Sequence, residues 1–310
     1  MIAGNSESET TCGCGRNWIL TLAALALLLT PSTVAAQAPA LQSSDVQSPL
    51  SVTAATQEEK GFTLNAFYGG SFFSGRHVTE LNGTGGYDFN KYFGVDVGVP
   101  FYFIDGSRTF QSPQGPRDRN FGLNGIGNVY VDLLFNLINP TVTYLGTVRG
   151  TAPTGNTRTG FSTGRVTYDW DNYFDHDFGR LRPFIDVGLA NSISDTQFFF
   201  RPFVTLGTVI PSEAGATVRV VRNTRVGASL YDDAAIGPQK VFSRINGSEA
   251  VGPARIDRDN GYSAWLTVSP LSFLVVEAGY DHSVHYALNV FSFGIAVNVK
   301  DAYRRVRRPR

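Results

Sequence analysis

The most regular pattern in the chain is a strict alternation of large apolar residues with small or charged ones. It is clearest over residues 93–103, where one set consists of Phe93, Val95, Val97, Val99, Phe101 and Phe103, and the other of Gly94, Asp96, Gly98, Pro100 and Tyr102. Successive side chains of a strand point to opposite faces, so this pattern predicts a strand with one wholly apolar face. Such a sheet suits a barrel whose outside meets lipid and whose inside meets water.

Further stretches repeat this alternation, with apolar sets that begin at Val129, Val166, Ile185, Leu274 and Phe291. Residues 203–221 alternate least regularly and predict two poorly defined strands. No stretch of residues 61–299 shows a convincing helical period. The chain is therefore predicted to be all-β.

Turn-forming residues divide these strands in a regular rhythm. Short turns are predicted at residues 90–91, 138–140, 179–180, 222–223 and 269–270, and longer connections at residues 71–76, 105–120, 151–163, 191–196, 232–260 and 281–285. Six long connections alternating with five short turns require about twelve strands when both termini lie on the same side. The pattern predicts an antiparallel up-and-down transmembrane β-barrel.

Composition divides the 310-residue chain into four parts. Residues 1–36 have the charged start, short apolar run and small residues of a secretory signal peptide, with cleavage near Ala36; an uncleaved anchor is the alternative. Residues 37–60 form a flexible polar linker, residues 61–300 the barrel, and residues 301–310 a basic tail. Cys12 and Cys14 both precede the apolar run, so cleavage would leave a chain without cysteine.

If the apolar faces meet lipid, the opposite faces place charged side chains inside the barrel. The predicted lumen-lining residues are Asp96, Asp132, Arg149, Arg165, Asp169, Asp171, Asp186, Glu277 and Asp281. Charged rings set ion or solute selectivity in pores, whereas oppositely charged groups that pair would fill the interior. A twelve-stranded barrel lies between filled eight-stranded barrels and open porins. We expect most of these charges to pair and a narrow path to remain.

The middle of the chain reads Gly146-Thr-Val-Arg-Gly-Thr-Ala-Pro-Thr-Gly155, then Gly160-Phe-Ser-Thr-Gly164 and Thr167-Tyr-Asp-Trp170. This resembles the outer-membrane proteins grouped as "MetA-pathway of phenol degradation", a family of transporter-like barrels, over about residues 61–299. The resemblance implies an outer-membrane barrel for small, often hydrophobic compounds, with no catalytic residues to transfer. The chain departs from a common barrel feature, because the last alternation ends at Val299 rather than on an aromatic residue, and a basic tail follows.

Histidines beside carboxylates raise an enzymatic alternative. Two groups occur, namely Asp281 with His282 and His285, and His176 with Asp175 and Asp177. A histidine oriented by a carboxylate can act as a general base, and paired histidines can bind a metal. Histidine and aspartate are, however, both common in solvated loops. We therefore expect no enzyme, no catalytic or metal-binding residues and no cofactor.

The leading hypothesis is a barrel in the cell outer membrane through which small compounds pass passively, hydrophobic or aromatic ones among them. Its expected partners are outer-membrane lipid and small-molecule solutes, but no nucleic acid. The tail residues Arg304, Arg305, Arg307, Arg308 and Arg310 are candidates for contact with an anionic periplasmic partner. Two alternatives stay open: a non-conducting structural or adhesive surface barrel, and a soluble periplasmic β-barrel or sandwich that binds a ligand.

Overall fold

The computed structural model describes residues 60–73, 76–112, 115–138, 141–192, 203–243 and 248–299. Nearly all of this part is β-strand. The strands are β1 (Gly61–Phe73), β2 (Arg76–Asp88), β3 (Phe93–Ser112), β4 (Gly115–Ile126), β5 (Val129–Ile138), β6 (Thr143–Ala152), β7 (Thr167–Asp175), β8 (Leu181–Ala190), β9 (Phe203–Val221), β10 (Thr224–Ser243), β11 (Glu249–Gly252), β12 (Asp259–Leu271), β13 (Leu274–Ser283) and β14 (Leu288–Asn298). A 3-10 turn, Ala254–Asp257, precedes β12.

Twelve of these strands form a closed antiparallel ring. Its order is β1-β2-β3-β5-β6-β7-β8-β9-β10-β12-β13-β14, and β14 pairs back onto β1 from Asn65 opposite Asn298 to Phe72 opposite Phe291. The remaining two strands extend this ring. β5 pairs with the first part of β3, residues 93–98, and β4 pairs with the rest of it, residues 101–112. β11 pairs with the end of β10. The predicted fold class and strand number are confirmed.

The outer face of the ring is apolar. Val97 and Val99 of β3 are 46% and 41% exposed, and Leu133 of β5 is 46% exposed, while the inward-facing Asp132 is only 7% exposed. A band of exposed valine, leucine and aromatic side chains this large is unfavourable in water and suits hydrocarbon. The soluble alternative requires these side chains to pack inside the barrel, which is the opposite of the observed orientation.

The connections lie at two ends of the barrel. The end that holds the start of β1 and the end of β14 has five short turns, which we call the turn end; we call the opposite end the loop end. The predicted turn at residues 269–270 lies slightly later, because β12 continues to Leu271 and β13 begins at Leu274. Residues 203–221 form one strand, β9, rather than the two that were predicted.

Several predicted long connections are strand instead. Much of residues 105–120 belongs to the β3–β4 hairpin, and most of residues 232–260 belongs to β10, β11 and β12. β1 likewise continues to Phe73 and β2 begins at Arg76. These predictions were wrong because alternation ends where a strand leaves the hydrocarbon, whereas backbone pairing continues beyond that level.

An apolar cluster lies inside the barrel near the loop end. Its buried members are Phe73, Val78, Ile104, Phe161, Leu288 and Val290, with Tyr102, Leu123 and Tyr286 packed against them. Except for Phe161 and Tyr286, these residues face inward from β14, β1, β2, β3 and β4. One side of the interior is therefore filled by side chains at this level.

No helix within the described ranges is both long enough and apolar enough to span a membrane. The predicted signal peptide at residues 1–36, the tail at residues 301–310 and all of the predicted linker except Lys60 lie outside the described residues.

Val97 and Val284 test the orientation of the wall, because both are exposed valines but only Val97 lies in the apolar band. Val97→Arg is expected to lower the free energy of unfolding in lipid vesicles by about 2–4 kcal/mol, since arginine would enter hydrocarbon. The control Val284→Arg, in the connection after β13, should change it by less than about 1 kcal/mol. Urea unfolding in phosphatidylcholine vesicles measures both, and equal losses would contradict a lipid-facing band.

Candidate solute pathway

Strand register places charged side chains in one row on the inner wall. Asp96 of β3 stands opposite Asp132 of β5, which stands opposite Arg149 of β6. Arg149 in turn stands opposite Asp169 of β7. Directly opposed residues share a face of the sheet. The four side chains therefore form a continuous charged row inside the barrel.

Arg149 binds Asp132 within this row. Its Nε donates to Asp132 Oδ1 at 2.8 Å and its Nη2 donates to Oδ2 at 3.0 Å. The guanidinium also lies over the ring of Tyr130, with Cζ 4.2 Å from the ring centroid. Tyr130 OH accepts a hydrogen bond of 2.9 Å from Asn82 Nδ2. A bidentate pair stacked on a ring is held in one geometry.

Other predicted lumen residues are bound to hydroxyl groups. Thr63 Oγ1 donates to Asp96 Oδ1 at 2.8 Å, and Thr267 Oγ1 donates to Glu277 Oε2 at 3.0 Å. Hydrogen bonds of this kind stabilise a carboxylate without neutralising its charge. These positions therefore keep the interior negative.

A second group of carboxylates extends around the inner wall, and we call it the acidic wall. Its members, contributed by β7, β8, β9, β10, β12 and β13, are Asp169, Asp171, Asp186, Glu213, Asp233, Asp259 and Asp281. Asp186 stands directly opposite Glu213, and Asp233 stands directly opposite Asp259. Like charges at facing positions repel one another, so this arrangement favours cations in the interior.

Asp186, Glu213 and Asp233 of the acidic wall receive little compensation from basic side chains. Asp186 lies within electrostatic range of Glu213 and Asp169, and Asp233 lies within range of Asp259 and Glu213. Across the described ranges, no lysine or arginine forms an ion pair with Asp186, Glu213 or Asp233. Asp259 is held instead by hydroxyls, with Ser283 Oγ donating to its Oδ1 at 2.6 Å. The field inside the barrel is therefore negative on this side.

Sequence reasoning missed Glu213, Asp233 and Asp259. Glu213 lies in β9, where the alternation is weak, and the other two fall in residues 232–260, which were predicted to be a connection. The outward residues Val226, Ala228 and Leu230 do alternate with inward ones. Continuing that period would have placed Asp233 on the inner wall.

The arginines of the interior lie mainly near the turn end. Arg182 Nε is 3.0 Å from Asp175 Oδ1, whose side chain is buried, and Arg219 Nη2 is 3.4 Å from Asp177 Oδ2. Arg225 stands opposite Arg219 across β10 and β9. These three positive charges thus lie at the turn end, whereas Arg149 stands beside Asp169 of the acidic wall.

Arg165 differs from the predicted lumen set. It lies in the loop between β6 and β7, two residues before β7 begins, and its side chain is exposed. Its guanidinium lies over the ring of Phe242 in β10, with Cζ 4.7 Å from the centroid. The sequence alternation predicted that Arg165 faces inward as part of a strand. β7 begins only at Thr167, however, so Arg165 belongs to the preceding loop.

The histidines do not assemble the proposed pairs. Asp281 faces inward on β13 whereas His282 faces outward, where its Nδ1 lies 2.7 Å from Asn289 Oδ1. His176 contacts the carbonyl of Thr141 and the ring of Phe178, and His285 packs against Tyr286. No group of three potential metal ligands occurs in the part of the chain that the structure describes.

Comparisons with known proteins point to the same architecture. No family model matches the chain, and no curated protein matches its sequence. The crystal structure of the COG4313 outer membrane channel from Pseudomonas putida F1 is similar with a TM-score of 0.50 and 11% identity, over 76% of this chain and 94% of that one. The NanC porin aligns with a TM-score of 0.44 and 10% identity, over 75% of this chain and 99% of that one. The first likeness shows the fold, a closed barrel of the outer-membrane type.

The ion pair between Arg149 and Asp132 provides a test of how far paired charges stabilise the wall. Arg149→Met is expected to lower the free energy of unfolding by about 1–3 kcal/mol, because the largely buried carboxylate of Asp132 loses its cation. The loss stays moderate because the Arg149 side of the pair is partly exposed to water. Adding Asp132→Asn should restore part of that loss. Urea unfolding in detergent micelles measures the cycle, with the exposed Arg158→Met as control; additive losses in the double variant would contradict the coupling.

Proposed function

We propose that this protein is an outer-membrane channel through which small solutes pass passively down their own gradients. The observation that supports it best is a closed ring of twelve strands with an apolar outside and a charged inside. An apolar outside suits the bilayer, and a polar interior suits hydrated solutes. Transport of this kind needs no catalytic group.

The acidic wall supports a preference for cations. Its carboxylates line six neighbouring strands, whereas Arg149 and Arg182 are each bound to an aspartate. A pore with a negative interior raises the local concentration of cations and lowers that of anions. In this proposal the predicted residues Asp96, Asp169, Asp171, Asp186, Glu277 and Asp281 contribute to selectivity, while Asp132 and Arg149 mainly fix the wall.

We further propose that hydrophobic or aromatic compounds are among the solutes that pass. This proposal rests on the resemblance of residues 146–170 to the phenol-degradation barrel family and on aromatic rings of the inner wall, such as Tyr130, Tyr173 and Trp265. Rings beside carboxylates offer apolar contact together with attraction for a positive group. Contact between the arginine tail and an anionic periplasmic partner remains a prediction.

A non-conducting structural or adhesive barrel is the second candidate. It is favoured by the apolar cluster that fills one side of the interior near the loop end. Residues 105–120 and 232–260, which would bind the partner in this candidate, are largely paired strands. Flux measurements separate this candidate from a channel.

Planar bilayers test the channel and its charge preference together. The purified chain is expected to conduct, with a reversal potential in a salt gradient that shows preference for potassium over chloride. Asp186→Asn with Glu213→Gln should move this preference toward the ratio of the bulk ion mobilities, because two carboxylates of the acidic wall lose their charge.

The control pair is Asp105→Asn with Glu249→Gln, which removes two exposed carboxylates outside the acidic wall. It should leave the reversal potential unchanged. Absence of conductance from folded protein would contradict the channel and favour the structural barrel. Equal shifts in both double variants would contradict selectivity by the acidic wall.

A further inference from the structure

The loop between β6 and β7, residues 153–166, folds into the mouth of the barrel. Its residue Phe161 is only 4% exposed and belongs to the apolar cluster of inward-facing side chains. The Phe161 ring lies parallel to Tyr102 of β3, with centroids 6.3 Å apart and an interplanar angle of 2°. A loop residue is thus seated on the inner face of the wall.

Gly125 of β4 makes room for this contact. A Cβ atom at position 125 would lie 2.8 Å from both Cδ2 and Cε2 of Phe161. Gly125 stands opposite Tyr102, so it faces inward on the same part of the wall. The seat of Phe161 therefore consists of a flat glycine surface beside an aromatic ring.

The same loop is attached on the other side of the ring through Arg165. Its guanidinium lies over Phe242, beyond the irregularity of β10 between Ile236 and Lys240. In the ring of twelve strands, β10 stands six positions from β3 and is therefore opposite to it. Only three residues thus lie between contacts with two strands that stand opposite each other in the ring.

Hydrogen bonds hold the loop in this conformation. Thr154 Oγ1 accepts from Val129 N at 2.8 Å, and Gly155 N donates to Asn128 Oδ1 at 3.2 Å. Phe161 N donates to Asn156 O at 2.9 Å. Gly160 and Gly164, with φ of +92° and +70°, bracket the inserted segment in a backbone region that favours glycine. The loop is therefore a fixed part of the mouth.

We propose that residues 153–166 form a strap across the mouth, and that its anchors Phe161 and Arg165 set the largest solute that can pass. This inference rests on the proposed channel function and adds the element that limits size. The strap changes the open cross-section without contributing to the acidic wall. Size limit and charge preference should therefore respond to different substitutions.

Uncharged sugars of increasing size provide the test, because their passage is insensitive to lumen charge. The purified protein is placed in vesicles, and swelling rates are measured from a pentose to a trisaccharide. Phe161→Ala and Gly125→Val should each admit larger sugars and raise single-channel conductance by about twofold. Gly125→Val displaces the ring while leaving the loop sequence intact.

Matched controls separate the anchors from general effects. Phe178→Ala removes an exposed aromatic side chain from a connection at the turn end, and Arg158→Ala removes the same charge from the same loop as Arg165→Ala. Only Arg165→Ala should enlarge the size limit. Heat-modifiable migration on gels verifies that each variant has folded.

The outcomes distinguish the strap from the channel. Flux in the native chain with the same size limit in Phe161→Ala, Gly125→Val and Arg165→Ala would overturn the strap and leave the channel intact. Flux only in the anchor variants would support the strap and contradict passage through the native chain. Absence of flux in every folded variant would overturn both proposals.

Discussion

The structure depends on a wall that is one residue thick and separates two media. Neighbouring residues of a strand face opposite sides, so Val97 meets the outer medium while Asp96 and Gly98 meet the interior. Apart from the apolar cluster near the loop end, no second layer covers either face within the described residues, so each position must suit the medium it meets. A shift of register by one residue would exchange hydrocarbon-facing valines with interior carboxylates.

This constraint also explains why the interior is polar but not uniform. Where β5 and β6 meet, Asp132 and Arg149 neutralise one another and stack on Tyr130. Around β8, β9 and β10, carboxylates face carboxylates instead. Near the loop end the β14–β4 side is apolar, since Phe161 supplies a partner for inward hydrophobic residues. The pathway therefore has distinct apolar and acidic sides.

Much of the fold was predictable because alternation and turn chemistry are local properties. Residues 93–103 form the predicted strand, and the turns at residues 90–91, 179–180 and 222–223 lie where they were predicted. The extended hairpins were not predictable in this way, because Gly115 and Glu249 belong to strands whose pairing continues without lipid on one side. Glu213 was hidden by the weak alternation of β9.

The position of Phe161 could not be read from its own neighbourhood either. Its glycine-rich segment indicates a loop, but the inward contact depends on Tyr102 and Gly125, which are distant in sequence. Arg165 shows the same limit, since its partner Phe242 lies on another hairpin. Local patterns identify strands and turns, whereas the shape of the mouth follows from contacts between distant segments.

Pairing of β14 with β1 has a consequence for assembly. These strands are the last and the first of the barrel, so the edge of β1 has no partner until the final segment of the chain arrives. Unprotected strand edges readily join other chains, and contacts between distant segments form slowly. A newly made chain therefore needs protection from self-association until β14 has paired with β1.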